Sequence, residues 1–256
     1  MVNLRRLRVK WIGSPSRIDL GELLPPGALP SLTWLSVDHV IITKDYSFPN
    51  SLTSLELGYA HCDRRQALLA ANLRTFDADG TTSVYVVEYL PSTITSLRLV
   101  ALETELSKFP NLQVIQVLDR VNESILSIPT VAPLQEFDIQ ATQSIALSLT
   151  CRFATTLRRV MWRLSGVLPP DALQCFATVP QLQRLQLVFG EGNKFAPGQC
   201  AVLRSCLHLG SFTVAACYRA TRSQLDLWKA TIDDLLPGVR VEVTEMQLQE
   251  QTFELD

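Results

Sequence analysis

Apolar residues recur along the chain in a short pattern: an apolar residue, two others, an apolar residue, one other, and a third apolar residue. Ten copies are present, and the gaps between their first residues are 28, 20, 21, 21, 18, 22, 23, 25 and 27 residues. The first residues are Leu4, Leu32, Leu52, Leu73, Ile94, Leu112, Leu134, Leu157, Leu182 and Leu209. A period of this length that runs through the chain indicates stacked repeats in a single elongated domain.

Each copy predicts one short strand, because side chains alternate between the two faces of a strand. The three marked apolar residues then point into the core, and the residues between them face solvent. Connections of about fifteen residues are long enough for the crossovers that parallel strands need. We therefore expect an α/β protein with a curved parallel sheet of about ten to eleven repeats, wound as a right-handed solenoid. The leucines predicted to be buried are Leu32, Leu35, Leu52, Leu55, Leu57, Leu97, Leu99, Leu182, Leu185 and Leu187.

The connections between strands change along the chain. Between Leu52 and Leu112 they are short and bounded by proline, which predicts extended or 3₁₀ segments on the convex side. From Leu157 onward they lengthen and predict helices, since proline is tolerated in a first helical turn. The longest helix is expected to begin at Ser223, with Asp226 three residues later as in a capping box. Residues 239–243 (VRVEV) predict an eleventh strand, and residues 244–256 an acidic cap or tail.

The pattern, in copies such as LPSLTWLSV, LPSTITSLRL and VPQLQRLQL, resembles that of leucine-rich repeat proteins over residues 1–243. It is most similar to the irregular arrays that serve as substrate-recognition parts of fungal or protist F-box proteins. This resemblance implies a recognition role. An F-box itself, the helical segment that binds the ligase adaptor, is not found in this sequence.

Composition narrows the expected partners. The formal charge is −2, so the chain has no overall basic field of the kind that attracts phosphate backbones, and nucleic acid is not expected. No signal peptide and no apolar stretch of about 18 residues are found, so we expect no membrane contact. These features predict a soluble cytoplasmic protein, with the nucleus as an alternative.

Candidate chemistry is sparse in this sequence. The histidines His39, His61 and His208 lie in distant repeats, and the adjacent pair His61 and Cys62 should point in opposite directions. The six cysteines form no CxxC pair, so buried free thiols are expected. GEGNK at residues 190–194 lacks the spacing of a phosphate-binding loop and predicts a turn. We predict no catalytic residue, no cofactor, no metal site and no small-molecule substrate.

The outward positions of the repeats hold the candidate binding residues. The third, fifth and seventh positions of each copy project from the sheet, and neighbouring strands lie only about 4.8 Å apart. An acidic cluster is predicted from Asp38, Glu56, Asp77 and Asp79. Glu56 beside Asp77 is a like-charge cross-strand pair, which destabilises a sheet. Either a basic partner or Arg98, the next residue in that row, relieves it.

Two further regions complete the predicted surface. Val100, Val114 and Leu118 form a small apolar patch, whose exposure favours contact with a partner. Arginines form a basic cluster with Glu136 as an internal counter-charge, and arginine, methionine and tryptophan are enriched at interfaces. The members of this cluster and the remaining candidates are Arg159, Arg163, Arg184, Met161, Trp34, Gln116 and Asp138.

These expectations favour a non-catalytic protein–protein interaction module that binds a protein partner in the concave face. The alternative is the substrate-recognition subunit of a ubiquitin ligase, of the F-box type, whose adaptor-binding segment is missing from this chain. An enzyme, or the regulatory domain of one, is the third class. The sequence does not name the partner.

Overall fold

The computed structural model describes residues 3–10, 18–43, 46–62, 70–79, 86–164, 168, 171–190, 195–216 and 220–245. The protein is α/β, with few helices and one sheet of eleven parallel strands, as the sequence predicts. The strands of this main sheet are β1 (Arg6–Val9), β3 (Trp34–Asp38), β5 (Ser54–Gly58), β7 (Thr75–Ala78), β8 (Ser96–Leu102), β9 (Val114–Val121), β10 (Glu136–Ala141), β11 (Arg159–Leu164), β12 (Arg184–Phe189), β13 (Ser211–Ala216) and β14 (Arg240–Glu245).

The strands begin where the repeat pattern places them. Each of the first ten begins two residues after the first apolar residue of a copy, as Trp34 follows Leu32 and Arg184 follows Leu182. The eleventh was predicted from Val239 and begins at Arg240. All ten leucines predicted to be buried are at most 2% exposed. Each such side chain contributes roughly 1.5–3 kcal/mol on burial, which explains why the pattern fixes the strands.

The chain divides into two compact units, Met1–Ile139 and Gln140–Asp256. In the first unit, β1, β3, β5, β7, β8 and β9 follow one another, and each pairs in parallel with the next. In the second unit the same holds for β11, β12, β13 and β14. Sequential order of parallel neighbours is the order that stacked repeats produce.

A second, three-stranded sheet in the first unit was not predicted. It consists of β2 (Ile18–Asp19), β4 (Val40–Ile42) and β6 (His61–Cys62), which also pair in parallel. Strands of two or three residues are too short to show a period of two in the sequence. The connections of this unit otherwise hold a short helix, α1 (Leu20–Leu23), and 3₁₀ turns at Val87–Tyr89 and Glu123–Ser127.

The second unit carries the longer helical connections. They are α2 (Gln143–Arg152), α3 (Arg222–Leu235) and 3₁₀ segments at Ala172–Thr178 and Pro197–Ser205. The predicted capping box at Ser223 and Asp226 is wrong, because the N-cap is Thr221 and its reciprocal partner is Gln224. Within the described part of the chain, no helix is both long enough and apolar enough to span a bilayer.

The sequence predictions at the C-terminal end stand as follows. Thr244 and Glu245, predicted to open the acidic tail, are the last residues of β14. Residues 246–256 and the GEGNK residues 191–194 lie outside the described ranges. The description of residues 1–243 as one domain stays a prediction.

Candidate functional site

The candidate site lies on the face of the main sheet that carries the third, fifth and seventh repeat positions, which we call the polar face. In β3 and β5, half-buried residues alternate with buried ones along the whole strand. Register places equivalent positions side by side, so that Glu56 is the partner of Ser36 on one side and of Asp77 on the other. The next partner in this row is Arg98. The rows expected from the sequence are therefore present in the first unit.

A cavity of about 290 Å³ opens on the polar face of the first unit. It contains all four residues of the predicted acidic cluster together with Arg98, and we call it the acidic pocket. Its lining comprises Arg8, Val9, Lys10, Ser36, Val37, Asp38, Glu56, Leu57, Gly58, Tyr59, Asp77, Asp79 and Arg98. Four carboxylates thus face three cations, so the lining carries an excess of negative charge.

Arg98 partly neutralises the acidic pocket from within. Its Nη1 donates to Oδ2 of Asp77 at 3.2 Å. Of the two groups expected to relieve the repulsion between Glu56 and Asp77, a basic partner or Arg98, Arg98 thus contacts Asp77. The pKa of Asp77 is nevertheless raised above its usual value. Burial is the main cause, Arg98 opposes it, and the charges of Asp79 and Glu56 reinforce it. The guanidinium of Arg98 therefore does not offset the cost of burying the charged Asp77 carboxylate.

Glu56 is held in place by an aromatic neighbour. Nε1 of Trp34 donates to Oε1 of Glu56 at 3.0 Å, and the guanidinium of Arg6 lies 4.8 Å from the centre of a Trp34 ring. A cation over an indole face is attracted by the ring quadrupole. Trp34 thus acts on the acidic pocket by orienting the Glu56 carboxylate.

Two residues directly after β3 and β5, of which Tyr59 lines the acidic pocket, have left-handed backbone conformations. His39 has φ 54° and Tyr59 has φ 42°, and both occupy the eighth repeat position, directly after β3 and β5. Their rings stack with centroids 5.2 Å apart. Left-handed backbone is uncommon for residues other than glycine, and it clusters at functional sites. Tyr59, which is 53% exposed, therefore stands as an aromatic edge of the pocket.

Asp38 sits in a confined space beside this aromatic pair. Its Oδ1 lies 2.9 Å from Nδ1 of His39, although the two buried atoms make no hydrogen bond in the described structure. A Cβ added to Gly58 would come within 2.6 Å of the same Oδ1. The seventh position of β5 must therefore be glycine for Asp38 to keep its side-chain position.

The predicted apolar patch is partly accessible. Val100, Val114 and Leu118 are all half-buried, and contact of this patch with a partner stays a prediction. The register between β8 and β9 also shifts between Leu99 and Ala101, where β9 contains one extra residue. This irregularity places Val100 and Leu118 where the pairing is interrupted, so they do not continue a regular row. Gln116 keeps its place as the partner of Arg98.

Asp138 is wrong as an outward contact residue. It is only 7% exposed, although its fifth position predicts exposure. Aspartate is short, and its register partner on the neighbouring strand is the longer Gln116. A buried carboxylate of this kind serves the fold, because buried polar groups are normally satisfied by internal partners.

The predicted basic cluster is only partly assembled. Arg159 and Arg184 are register partners at the starts of β11 and β12. Arg163 is half-buried further along β11, and Met161 packs against Val188 and Ala215, which are 5% and 2% exposed. Met161 is therefore a packing residue. Glu136, the predicted counter-charge, has Val114 as its partner in the first unit.

The predicted acidic cluster does not include Arg8, Lys10 and Tyr59, which also line the acidic pocket. Arg8 and Lys10 stand in the fifth- and seventh-position rows of the first copy, but their positive charge excludes them from a cluster defined by its carboxylates. Tyr59 gave no such signal, because the eighth position follows the strand and its conformation is not encoded by an apolar period.

The described residues do not assemble a metal site. Within those ranges, no group of three His, Cys, Asp or Glu side chains could hold a metal ion. Cys151, Cys175, Cys200 and Cys206 are free. Cys200 and Cys206 are buried as expected, whereas the expectation is wrong for Cys151, which is exposed, and for Cys175, which is half-buried. Burial raises the pKa of Cys175 and of Cys200 to about 12. Because the thiolate is the nucleophile, these two thiols are unreactive at neutral pH.

Comparison of the chain with known protein families and with curated proteins finds no match. The functional argument therefore depends on the geometry and charge of the site.

Proposed function

We propose that the protein is a non-catalytic binding module of the leucine-rich repeat type, which holds a protein partner on the polar face. The observation that carries this proposal is the acidic pocket, where charged side chains from five neighbouring strands converge. Recurring strands that begin at each repeat copy support the repeat assignment. Repeat arrays commonly recognise partners through one face of their stacked strands.

The partner presents a basic side chain to the acidic pocket. Four carboxylates exceed three cations in the lining, and the charges of Asp79 and Glu56 add to the burial that raises the pKa of Asp77. A lysine or arginine from the partner lowers this repulsion when it binds. The exposed ring of Tyr59 adds an apolar and quadrupolar surface for the same group.

Reversing one exposed charge tests this proposal. Asp79→Lys should reduce recovery of the partner at least about tenfold in affinity capture from the native lysate, because charge complementarity at an interface is lost. Glu105→Lys is the matched control, since Glu105 is an exposed carboxylate of the same unit in the connection between β8 and β9. Both variants should melt within a few degrees of the unmodified protein.

Equal recovery with Asp79→Lys and with the unmodified protein would contradict the proposal. Equal loss with both variants would do the same, because it would trace capture to net charge and not to the pocket. The ubiquitin-ligase role and the cytoplasmic location implied at the sequence level stay predictions.

A further inference from the structure

A second cavity, of about 280 Å³, lies on the second unit. We call it the basic pocket, because two arginines and a histidine are its ionisable groups. Its lining comprises Gln183, Arg184, His208, Gly210, Ser211 and Arg240. None of these six residues was among the predicted binding residues except Arg184.

Sheet register explains how the basic pocket is built. Arg184, Ser211 and Arg240 are successive partners at the starts of β12, β13 and β14. Two strand spacings separate the Cα atoms of the arginines by about 9.5 Å. Between them lie Gly210, without a side chain, and the short Ser211. The two arginines therefore form opposite sides of the basic pocket, and Gly210 and Ser211 form its floor.

Backbone hydrogen bonds fix this floor. The amides of Gly210 and Ser211 both donate to the carbonyl oxygen of Gln183, at 2.9 and 3.2 Å. The amide of Arg240 donates to the carbonyl oxygen of Gly210 at 3.1 Å. The strands of the two arginines are thus both bonded to β13, which fixes the separation of their backbones before any ligand binds.

The arginine side chains are not neutralised by their described surroundings. Neither Arg184 nor Arg240 forms an ion pair or a side-chain hydrogen bond with another described residue. Both are exposed. Glu242 lies two residues after Arg240 and so shares its face of β14, whereas the exposed Arg158 adds positive charge directly before β11, the neighbour of β12. The local field is therefore positive on a chain whose formal charge is −2.

We propose that the basic pocket binds the oxyanion groups of an acidic segment of the protein partner. A guanidinium presents a planar fork of donors that matches a carboxylate or a phosphoryl group with two parallel hydrogen bonds. Two such forks over a floor without bulky side chains leave room for these groups between them. This inference rests on the proposed function. It assigns an acidic ligand to the second unit, whereas the acidic pocket of the first unit takes a basic one.

The test measures fluorescence anisotropy of dye-labelled ten-residue peptides with the full chain. One peptide carries six glutamates, a second carries six glutamines in their place, and a third carries phosphoserine at two of the glutamate positions. The unmodified protein should bind both acidic peptides and not the glutamine peptide. Arg184→Gln with Arg240→Gln should weaken acidic-peptide binding at least about tenfold.

Two further variants separate pocket geometry from net charge. Arg222→Gln with Lys229→Gln also removes two positive charges from exposed sites of the second unit, and it should change the affinity less than about twofold. Arg184→Lys with Arg240→Lys keeps the charge and should still lose most of the affinity, because lysine lacks the planar fork. Melting curves of all variants should agree within a few degrees.

Three outcomes would overturn the inference. They are absence of binding to either acidic peptide, equal losses from the Arg184/Arg240 and Arg222/Lys229 glutamine variants, and preferential binding of a labelled dT10 oligonucleotide over the peptides. If acidic peptides fail to bind while Asp79→Lys still abolishes partner capture, the inference fails and the proposed function stands. If the peptides bind as expected while Asp79→Lys leaves capture intact, the proposed role of the acidic pocket fails.

Discussion

The acidic pocket of the first unit and the basic pocket of the second both lie on strands of the repeat, but they use different positions along those strands. The acidic pocket uses mainly the fifth and seventh repeat positions, such as Glu56 and Asp79. The basic pocket uses the second and third positions, such as Gln183 and Arg184. Which side chains line a pocket therefore depends on their position along the strand as well as on the neighbouring strands.

The two pockets also differ in how far their charge is neutralised. In the acidic pocket, Arg98 binds Asp77 and Trp34 binds Glu56, so half of the carboxylates already have a polar partner within the unit. In the basic pocket, neither arginine has such a partner among the described residues. We therefore expect the basic pocket to give the larger response to an added ligand of opposite charge.

The largest effect concerns the scaffold on which this comparison depends. Leu55→Asp should destabilise the protein by more than about 4 kcal/mol, because Leu55 is 0% exposed and an unpaired charge would be buried in its place. Leu227→Asp is the control, since Leu227 is 65% exposed on α3. Thermal unfolding followed by circular dichroism measures both. Similar melting curves for Leu55→Asp and the unmodified protein would contradict the assignment of Leu55 to a core built by the repeats.

The strands were predictable because their signal is physical and repeated. Leu32 and Leu182, like the other opening residues except the half-buried Leu4, mark a buried position that cannot be polar without a large cost, so the period survives variation in the connections. The small sheet containing Val40–Ile42 gave no signal, because strands so short have no measurable period. The 3₁₀ form of Ala172–Thr178 was likewise not distinguished from an α-helix by proline placement alone.

The sites were predictable only in part. The acidic cluster emerged because adjacent rows place Glu56 and Asp77 side by side whatever the connections do. The basic pocket does not follow from the ten copies of the pattern, because the last copy opens at Leu209 and Arg240 lies beyond it, on the strand that closes the sheet. Asp138 was misassigned, since the period of two gives the direction of a side chain and not what covers it.

Exchanging the charge of the basic pocket should have the largest effect on binding. Arg184→Glu with Arg240→Glu should abolish binding of the six-glutamate peptide and add a second site for a six-lysine peptide to the one in the acidic pocket, because the charge of the basic pocket is reversed. Both residues are exposed, so the fold tolerates the change. Anisotropy titrations with both peptides measure the exchange. Retained glutamate-peptide binding would show that this peptide does not bind in the basic pocket.

A methyl group at Gly58 should disturb the acidic pocket alone. Gly58→Ala brings Cβ within 2.6 Å of Oδ1 of Asp38, so the carboxylate must move. We expect a several-fold loss of six-lysine peptide affinity and unchanged binding of the six-glutamate peptide. Gly198→Ala is the matched control, because its Cβ would meet no atom within 4 Å. Equal peptide affinities for the two alanine variants would mean that the position of Asp38 does not matter.

The smallest expected effect is the pH dependence of stability that Asp77 contributes. Its pKa is raised in the folded protein, chiefly by burial, so its contribution to stability is fully present below the pKa of the unfolded chain and is lost as the pH rises through the folded value. Asp77→Asn should therefore raise the melting temperature slightly at pH 7. The expected gain in the free energy of unfolding is about 0.2–1 kcal/mol, the scale of a relieved like-charge pair. The gain should disappear near pH 3, where the aspartate is also neutral. Melting curves between pH 3 and pH 8 measure this, with the exposed Asp119→Asn as the control. A loss of stability at pH 7 would instead show that the Arg98 contact outweighs the excess negative charge, and the acidic pocket would then be neutralised without a partner.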